Sequence, residues 1–125
     1  MSRKYYVPKN HTKEDILRIL DNGDSEELRF LGIAVGLNYS DWKFAQDICL
    51  KLADNDDALV RANAIFGLAH IARTKQKLDK RVVKPIVLRE LRYNYVNRST
   101  ILDAIDDINL FMEWSLALKE YKKYR

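Results

Sequence analysis

Few side chains in this sequence could carry out chemistry. Its 125 residues include one cysteine, Cys49, and two histidines, His11 and His70. Nucleophilic catalysis of the triad kind needs a nucleophile, a base and an orienting group, and neither histidine has such partners at a recognisable spacing. Cys49 and the two histidines also lack the paired spacing of a transition-metal site. We therefore expect a non-enzymatic protein that holds no metal and no cofactor.

Three aspartates near the C-terminus, Asp103, Asp106 and Asp107, lie three and four residues apart. On a helix this spacing places carboxylates on one face, where they could hold a divalent cation or act as an acid and a base. They could also form a solvated acidic stripe or bind a basic partner. Because nothing elsewhere supplies a second set of ligands, the solvated stripe and the partner-binding stripe are the favoured interpretations.

A second candidate surface lies in the most apolar segment of the chain. Asn63, Gly67 and His70 share one face of the helix predicted there. His70 is either a half-buried structural histidine or part of a binding groove. We predict that the two candidate surfaces together bind a protein partner through Asn63, Gly67, His70, Asp103, Asp106 and Asp107.

The elements that position these residues are predicted to be helices. Only four glycines and two prolines interrupt the chain, which is too few for a sheet protein that turns every 8–12 residues. Apolar residues recur at helical spacing in six segments, and polar residues stand where side chains cap helices. The candidate caps are Thr12, Asp24 or Ser25, Ser40 or Asp41, Asp79, and Ser99.

We predict a single all-α domain over residues 1–125, with helix pairs at 12–39, 41–74 and 79–113 and a basic C-terminal tail at 115–125. Pro85 should bend or delay the first turn of the fifth helix, predicted over about 82–93, because proline lacks an amide donor. The pairs look like repeats. Leu17-Arg-Ile-Leu20-Asp21 recurs as Leu50-Lys-Leu-Ala53-Asp54 and as Leu88-Arg-Glu-Leu91-Arg92, and the second helices open with Leu28-Arg29, Val60-Arg61 and Asn97-Arg98.

On these residues the sequence resembles the HEAT family of α-solenoids. The best match is Leu52-Ala-Asp54-Asn-Asp-Asp-Ala-Leu-Val60-Arg61. The resemblance implies three antiparallel helix pairs that form a short right-handed α-solenoid, in which the second helices line a concave face. It also implies ion pairs between repeats, with Arg61 reaching Asp21 and Arg98 reaching Asp54.

The resemblance favours a protein-binding function. Small stand-alone bacterial HEAT-like proteins resemble regulators and inhibitors, including immunity proteins that neutralise a cognate toxin. We therefore expect an immunity protein or inhibitor that binds a toxin domain through its concave face or an edge. On the first repeat this concave face is predicted to present Leu31, Ala34, Val35 and Asn38.

The charge distribution supports an alternative function. Residues 1–62 hold 9 Lys/Arg against 11 Asp/Glu, whereas residues 63–125 hold 13 against 7. Nine of these basic residues fall between Arg73 and Arg98, and such a strip could bind the phosphates of a nucleic acid. The sequence contains neither an apolar run behind its basic N-terminus nor about 20 consecutive apolar residues, so we expect a cytoplasmic location. The oligomeric state stays open.

Overall fold

The computed structural model describes residues 11–117, 119, 123 and 124. These residues form six α-helices, one short 3-10 helix and no β-strand. The predicted all-helical class is therefore confirmed for the described part of the chain. The helices are α1 (Lys13–Asn22), α2 (Ser25–Asn38), α3 (Trp42–Leu52), α4 (Ala58–Lys75), α5 (Lys80–Tyr93) and α6 (Arg98–Met112), and the 3-10 helix η1 (Tyr95–Asn97) lies between the last two.

Side-chain caps explain why most of these helices begin where they do. In each case an oxygen of the residue before the helix accepts a hydrogen bond from an amide in the first turn, which satisfies a donor that lacks a partner within the helix. Asp24 and Glu27 form a complete capping box, each side chain accepting from the other residue's amide. The five capping residues are Thr12, Asp24, Asp41, Asp57 and Asp79.

Two predictions about helix starts were wrong. Ser99 does not cap α6, because the chain is already helical at Arg98 after the turn of η1. Pro85 does not delay α5, which begins five residues earlier at Lys80, because Asp79 accepts a hydrogen bond from the amide of Arg81 at 3.2 Å and starts the helix there. The alternative, that Pro85 bends this helix, stays a prediction.

Helix α4 lies at the centre of the molecule, packed against α2 on one side and α6 on the other. Its side chains Ile65 and Leu68 are fully buried. The contact with α2 depends on glycine: a methyl group added at Gly36 would lie 2.9 Å from Cα of Gly67. Real Cβ atoms do not approach backbone this closely, so the Gly32 and Gly36 spacing serves close helix packing.

Ion pairs join helices that are far apart in the sequence, but not with the predicted partners. Nε of Arg61 lies 3.0 Å from Oε1 of Glu90, and the Arg61 side chain is only 24% exposed. The prediction that Arg61 pairs with an acidic residue of a neighbouring predicted repeat is therefore confirmed. Its predicted partner, Asp21, was wrong, because the start of α4 faces the end of α5.

A second ion pair also joins an arginine to a carboxylate that follows it in the sequence. Arg29, in α2, donates from Nε and Nη2 to one oxygen of Asp57 at 3.1 and 2.9 Å, while the other oxygen of Asp57 caps α4. Burial alone would raise the pKa of Asp57, but the hydrogen bond and charge of Arg29 and the backbone hydrogen bonds of α4 hold it below its usual value.

The arginine at the start of α6 donates to the backbone rather than to a carboxylate. Arg98 donates to the carbonyl oxygens of Leu91 and Arg92 at 2.9 and 3.0 Å. The predicted pairing of Arg98 with Asp54 was therefore wrong. Asp54 is instead bound by Nη1 of Arg89 at 3.1 Å.

The chain after α6 folds back on the core. Leu116 and Ala117 are 2% and 7% exposed, and both the amide and the carbonyl of Leu116 hydrogen-bond to the side chain of Asn109. The start of the predicted tail therefore covers the last helix rather than extending from it. Residues 1–10 of the predicted domain, and residues 118, 120–122 and 125 of the predicted tail, lie outside the described residues.

Candidate partner-binding surface

The predicted site residues on α4 lie on the side of that helix that is not fully covered. Asn63 and His70 are half-buried, as is Phe66 between them. The side-chain amide of Asn63 donates to the carbonyl oxygen of Arg29 at 2.8 Å, so this residue also holds α4 to α2. The structure therefore places Asn63 at the edge of the candidate surface, with a structural hydrogen bond of its own.

Gly67 does not belong to this surface. It is buried, and a methyl group added there would lie 2.8 Å from the carbonyl carbon of Gly32 and 2.8 Å from Sγ of Cys49. Because it permits the close contact of α2 with α4, its predicted role in partner binding is corrected to helix packing. A surface prediction from spacing alone cannot separate it from Asn63 and His70, since all three lie within one broad helical face.

His70 contacts the side chains one turn away on α4. Its ring centroid lies 4.5 Å from that of Phe66, and its Nδ1 lies 2.8 Å from Nη2 of Arg73. Because arginine can only donate, Nδ1 is assigned as the acceptor, which places the proton of the neutral ring on Nε2. Burial lowers the pKa of His70, and the charge of Arg73 lowers it further. At neutral pH this histidine is therefore an uncharged, half-buried aromatic group.

A carboxylate of α6 acts on the pKa of this histidine. The charge of Asp107 opposes the fall in the pKa of His70, and α4 and α6 pack against each other. Asp107 is half-buried, and Asp103, one turn earlier, is exposed. The partly exposed residues Asn63, Phe66 and His70 of α4, with Asp103 and Asp107 of α6, are here called the α4–α6 face.

The third predicted aspartate, Asp106, is exposed on α6. Within the described residues, no group of three or more histidine, cysteine, aspartate or glutamate side chains is arranged to hold a metal ion. Cys49 is fully buried between helices, and burial raises the pKa of its thiol to about 12. Since the thiolate is the reactive form, Cys49 is a core residue at neutral pH.

The contribution predicted for α2 was wrong for three of its four residues. Leu31, Ala34 and Val35 are 1%, 1% and 2% exposed, whereas the fourth, Asn38, is exposed and Ile33 and Leu37 are partly exposed. The glycine contacts explain the rotation of this helix. They turn the face that carries Gly32 and Gly36 towards α4, and the side chains next to that face enter the core.

The basic strip from Arg73 to Arg98 is not one open surface. Arg89 binds Asp54 and Glu90, both at nitrogen–oxygen distances of 3.0–3.1 Å, and Arg98 binds two backbone carbonyls. Nζ of Lys80 lies 5.5 Å from the ring centroid of Trp114. Several cations predicted to bind phosphates are therefore engaged within the protein.

Sequence reasoning missed a cluster of exposed side chains between α5 and α6. Tyr93, Tyr95 and Val96 are each more than 70% exposed. The sequence does carry a sign of this cluster. Aromatic and aliphatic residues stand in a connection between two helices, where polar residues are usual. Periodicity cannot assign them to a surface, because the connection has no regular period.

The chain was compared with known proteins. No family model matches the chain, and no curated protein matches it. Among solved structures, it is similar to a chain in the crystal structure of a CDI complex from Cupriavidus taiwanensis LMG 19424, with a TM-score of 0.74 and 22% sequence identity. The match covers 88% of this chain and 98% of that chain. The two chains therefore share a fold over nearly their whole length.

Within the described residues, no helix is both long enough and apolar enough to cross a membrane.

Proposed function

We propose that this protein is a non-enzymatic immunity protein, which neutralises a cognate bacterial toxin by binding it. The observation that carries the proposal is the fold it shares with a chain of a CDI complex, at a TM-score of 0.74 and over 98% of that chain. CDI denotes contact-dependent inhibition, in which a toxin is paired with an immunity protein. Fold likeness alone does not determine function, so the surface must supply the rest of the support.

The architecture proposed for this function is a short right-handed α-solenoid of three HEAT-like antiparallel helix pairs. Its support is the central position of α4 between α2 and α6, and the forward ion pairs Arg29–Asp57 and Arg61–Glu90 between successive pairs. In such proteins each repeat contacts only its neighbours, and the stack offers an extended binding surface. The α4–α6 face lies on two of the three second helices.

The α4–α6 face has the chemistry of a protein-binding surface. Phe66 and His70 offer a stacked aromatic pair, and Asp103 and Asp107 offer carboxylates beside it. Aromatic groups supply much of the binding energy of protein interfaces, and charges next to them set specificity and association rate. Such a face fits a partner that presents lysine or arginine next to an apolar group. We propose that the protein binds its toxin in the cytoplasm.

The function is tested by co-expression. The polypeptide encoded immediately upstream of this chain in its source genome is produced in a laboratory bacterium, alone and together with this chain. We expect this polypeptide to contain a toxin domain that arrests growth when produced alone, and we expect co-expression of this chain to restore growth. If the polypeptide is harmless, or if growth stays arrested when both are present, the proposed function is wrong.

Charge reversal tests the α4–α6 face separately. Asp103→Lys with Asp107→Lys should slow association with the toxin domain by about tenfold or more at low salt and leave the dissociation rate nearly unchanged, because charge acts mainly on the encounter. Stopped-flow mixing measures both rates. Glu14→Lys with Glu26→Lys, at exposed positions of α1 and α2, is the matched control. An unchanged association rate for the aspartate variant would remove this face from the interface.

A further inference from the structure

The corner between α5 and α6 presents an exposed apolar cluster. Tyr93, Tyr95 and Val96 are 74%, 73% and 81% exposed, and the one other large apolar side chain of the described residues that is more than half exposed is Leu110. Three such residues within four positions form a local patch, here called the α5–α6 corner. Patches of this kind mark interaction sites in soluble proteins, and tyrosine is among the residues most enriched in binding hot spots.

Buried hydrogen bonds hold the corner in place. Asn94, between the two tyrosines, is 2% exposed, and its side chain donates to the carbonyl oxygen of Ala58 at 2.8 Å and to Oε1 of Glu90 at 3.1 Å. Its own oxygen accepts from the side chain of Asn97 at 3.0 Å. The turn is thus fixed to the start of α4 and to the end of α5. A surface ordered before binding loses less conformational entropy when a partner docks.

The sequence around the corner carries a net positive charge. Residues 88–100 contain three arginines and a single carboxylate, Glu90, which is buried and bound by Arg61 and Arg89. Because Arg89 also pairs with Asp54, the positive charge next to the corner comes from Arg92 and Arg98. A small open pocket adjoins the corner. It is lined by Tyr95, Arg98, Ser99, Leu102 and Tyr124.

The contacts of Arg98 favour a protein over a nucleic acid as the partner that binds the corner. The guanidinium of Arg98 donates to two carbonyls and stacks 4.0 Å from the centroid of Tyr124, so it is oriented by the protein rather than towards a phosphate. Val96, the most exposed of the three corner residues, has no ring with which to stack on a base. Apolar packing inside a basic rim suits a protein surface whose apolar centre is surrounded by carboxylates.

We propose that the α5–α6 corner is an anchor for the toxin partner, which it engages through an apolar site bordered by Asp and Glu side chains. This inference rests on the proposed function and adds a second contact beyond the α4–α6 face. The corner immediately precedes α6, whose first turns carry Asp103. One partner of ordinary interface size, about 800 Å² on each side, can therefore cover both the corner and Asp103.

The test measures the affinity of the full chain for the purified toxin domain encoded upstream. The variant Tyr93→Ser, Tyr95→Ser, Val96→Ser removes the anchor, and we expect a Kd about 100-fold higher or more, since hot-spot tyrosines each carry a large share of binding energy. Its thermal unfolding should match that of the wild type, because all three side chains are exposed. Tyr93→Phe with Tyr95→Phe keeps both rings and should bind within about threefold of the wild type.

Leu17→Ser is the control, because Leu17 is a partly exposed apolar residue on α1, in the first helix pair. Wild-type affinity for this control, together with loss for the corner variant, supports the anchor. If the corner variant binds the domain as tightly as the wild type, the anchor is wrong and the proposed function stands. If the wild type itself does not bind, both are wrong.

Two further results would show that the α5–α6 corner binds something other than the toxin partner. One is tight binding of single-stranded RNA at 0.15 M salt that the serine variant loses. The other is a dimer of the wild-type chain in light scattering that the serine variant lacks.

Discussion

Glu90 is a charged residue at the centre of a buried network. It is 3% exposed, and its carboxylate binds Nε of Arg61 and Nε of Arg89, each at 3.0 Å, and the side-chain amide of Asn94 at 3.1 Å. Removing Glu90 takes a charged acceptor from all three side chains at a buried position, where losing one partner of an ion pair is costly. These contacts connect α4, α5 and the turn that carries the α5–α6 corner.

Glu90→Ala should therefore lower the free energy of unfolding by about 3–5 kcal/mol, the range for breaking a buried ion pair. Chemical denaturation measures this loss. Asp15→Ala is the control, because Asp15 and Arg18 form an exposed pair at 4.0 Å, and such pairs contribute about 0–1 kcal/mol. Equal losses in the two variants would show that the Glu90 network does not hold the third helix pair.

His70 makes a pH-dependent contribution to stability. Its pKa in the folded protein lies below its ordinary value of 6.5 because of burial and the charge of Arg73. As the pH falls, the unfolded chain therefore binds the proton first, and stability present above about pH 6.5 is lost towards the lower folded pKa. Between pH 7 and pH 5 we expect the wild type to lose more stability than His70→Gln.

The same residue reports on the contact between α4 and α6. Asp107→Asn removes the charge that raises the pKa of His70, so the His70 resonance should titrate at a still lower pH in this variant. Proton NMR resolves it readily, since the chain has only two histidines. An unchanged titration would mean that Asp107 does not face His70.

For single residues, the sequence predicted the kind of interaction more accurately than the residue with which it is made. That Arg61 would meet an acidic residue follows from the repeated pattern, but the choice of Glu90 over Asp21 depends on which neighbouring element the start of α4 faces. The burial of Gly67 was not predicted either, because spacing along the helix places it on the same broad face as Asn63 and His70. Both depend on how the helices pack, which spacing along one helix does not determine.

At the scale of the elements, helix starts were the most predictable features. Thr12, Asp24, Asp41 and Asp79 cap helices as proposed, because a cap is a local hydrogen bond between residues two or three apart. The start of α6 was missed, since Asn97 makes no side-chain cap and η1 leads directly into the helix. The rotation of α2 was also missed, because it is set by a contact with α4 rather than within the helix.

The segment after α6 is an element that the sequence interpretation treated as a tail. Leu116→Ala should destabilise the protein by about 2–5 kcal/mol, because truncating a buried leucine loses apolar burial and leaves a cavity. Leu110→Ala is the matched control, since Leu110 is 69% exposed whereas Leu116 is 2% exposed. Thermal or denaturant unfolding distinguishes the two variants. If they are equally stable, residues after α6 do not contribute to the core.

At the scale of the whole molecule, the surface combines two signs of charge. Asp103 and Asp107 lie on the α4–α6 face, while residues 88–100, which include the α5–α6 corner, carry three arginines and one buried carboxylate. A chain with this arrangement can orient a partner as well as attract it, because each region repels the partner's region of like charge. The proposed toxin domain would meet this pattern with basic groups opposite α6 and carboxylates around the corner.

Titration calorimetry of the purified chain into the purified toxin domain encoded upstream tests whether this protein acts by binding a toxin. We expect a one-to-one complex with a Kd of about 10⁻⁸ M or below, in the range of tight protein inhibitors, and loss of the domain's toxic activity at the same equivalence point. Absence of binding at micromolar concentrations, or a complex that leaves the toxic activity intact, would contradict it.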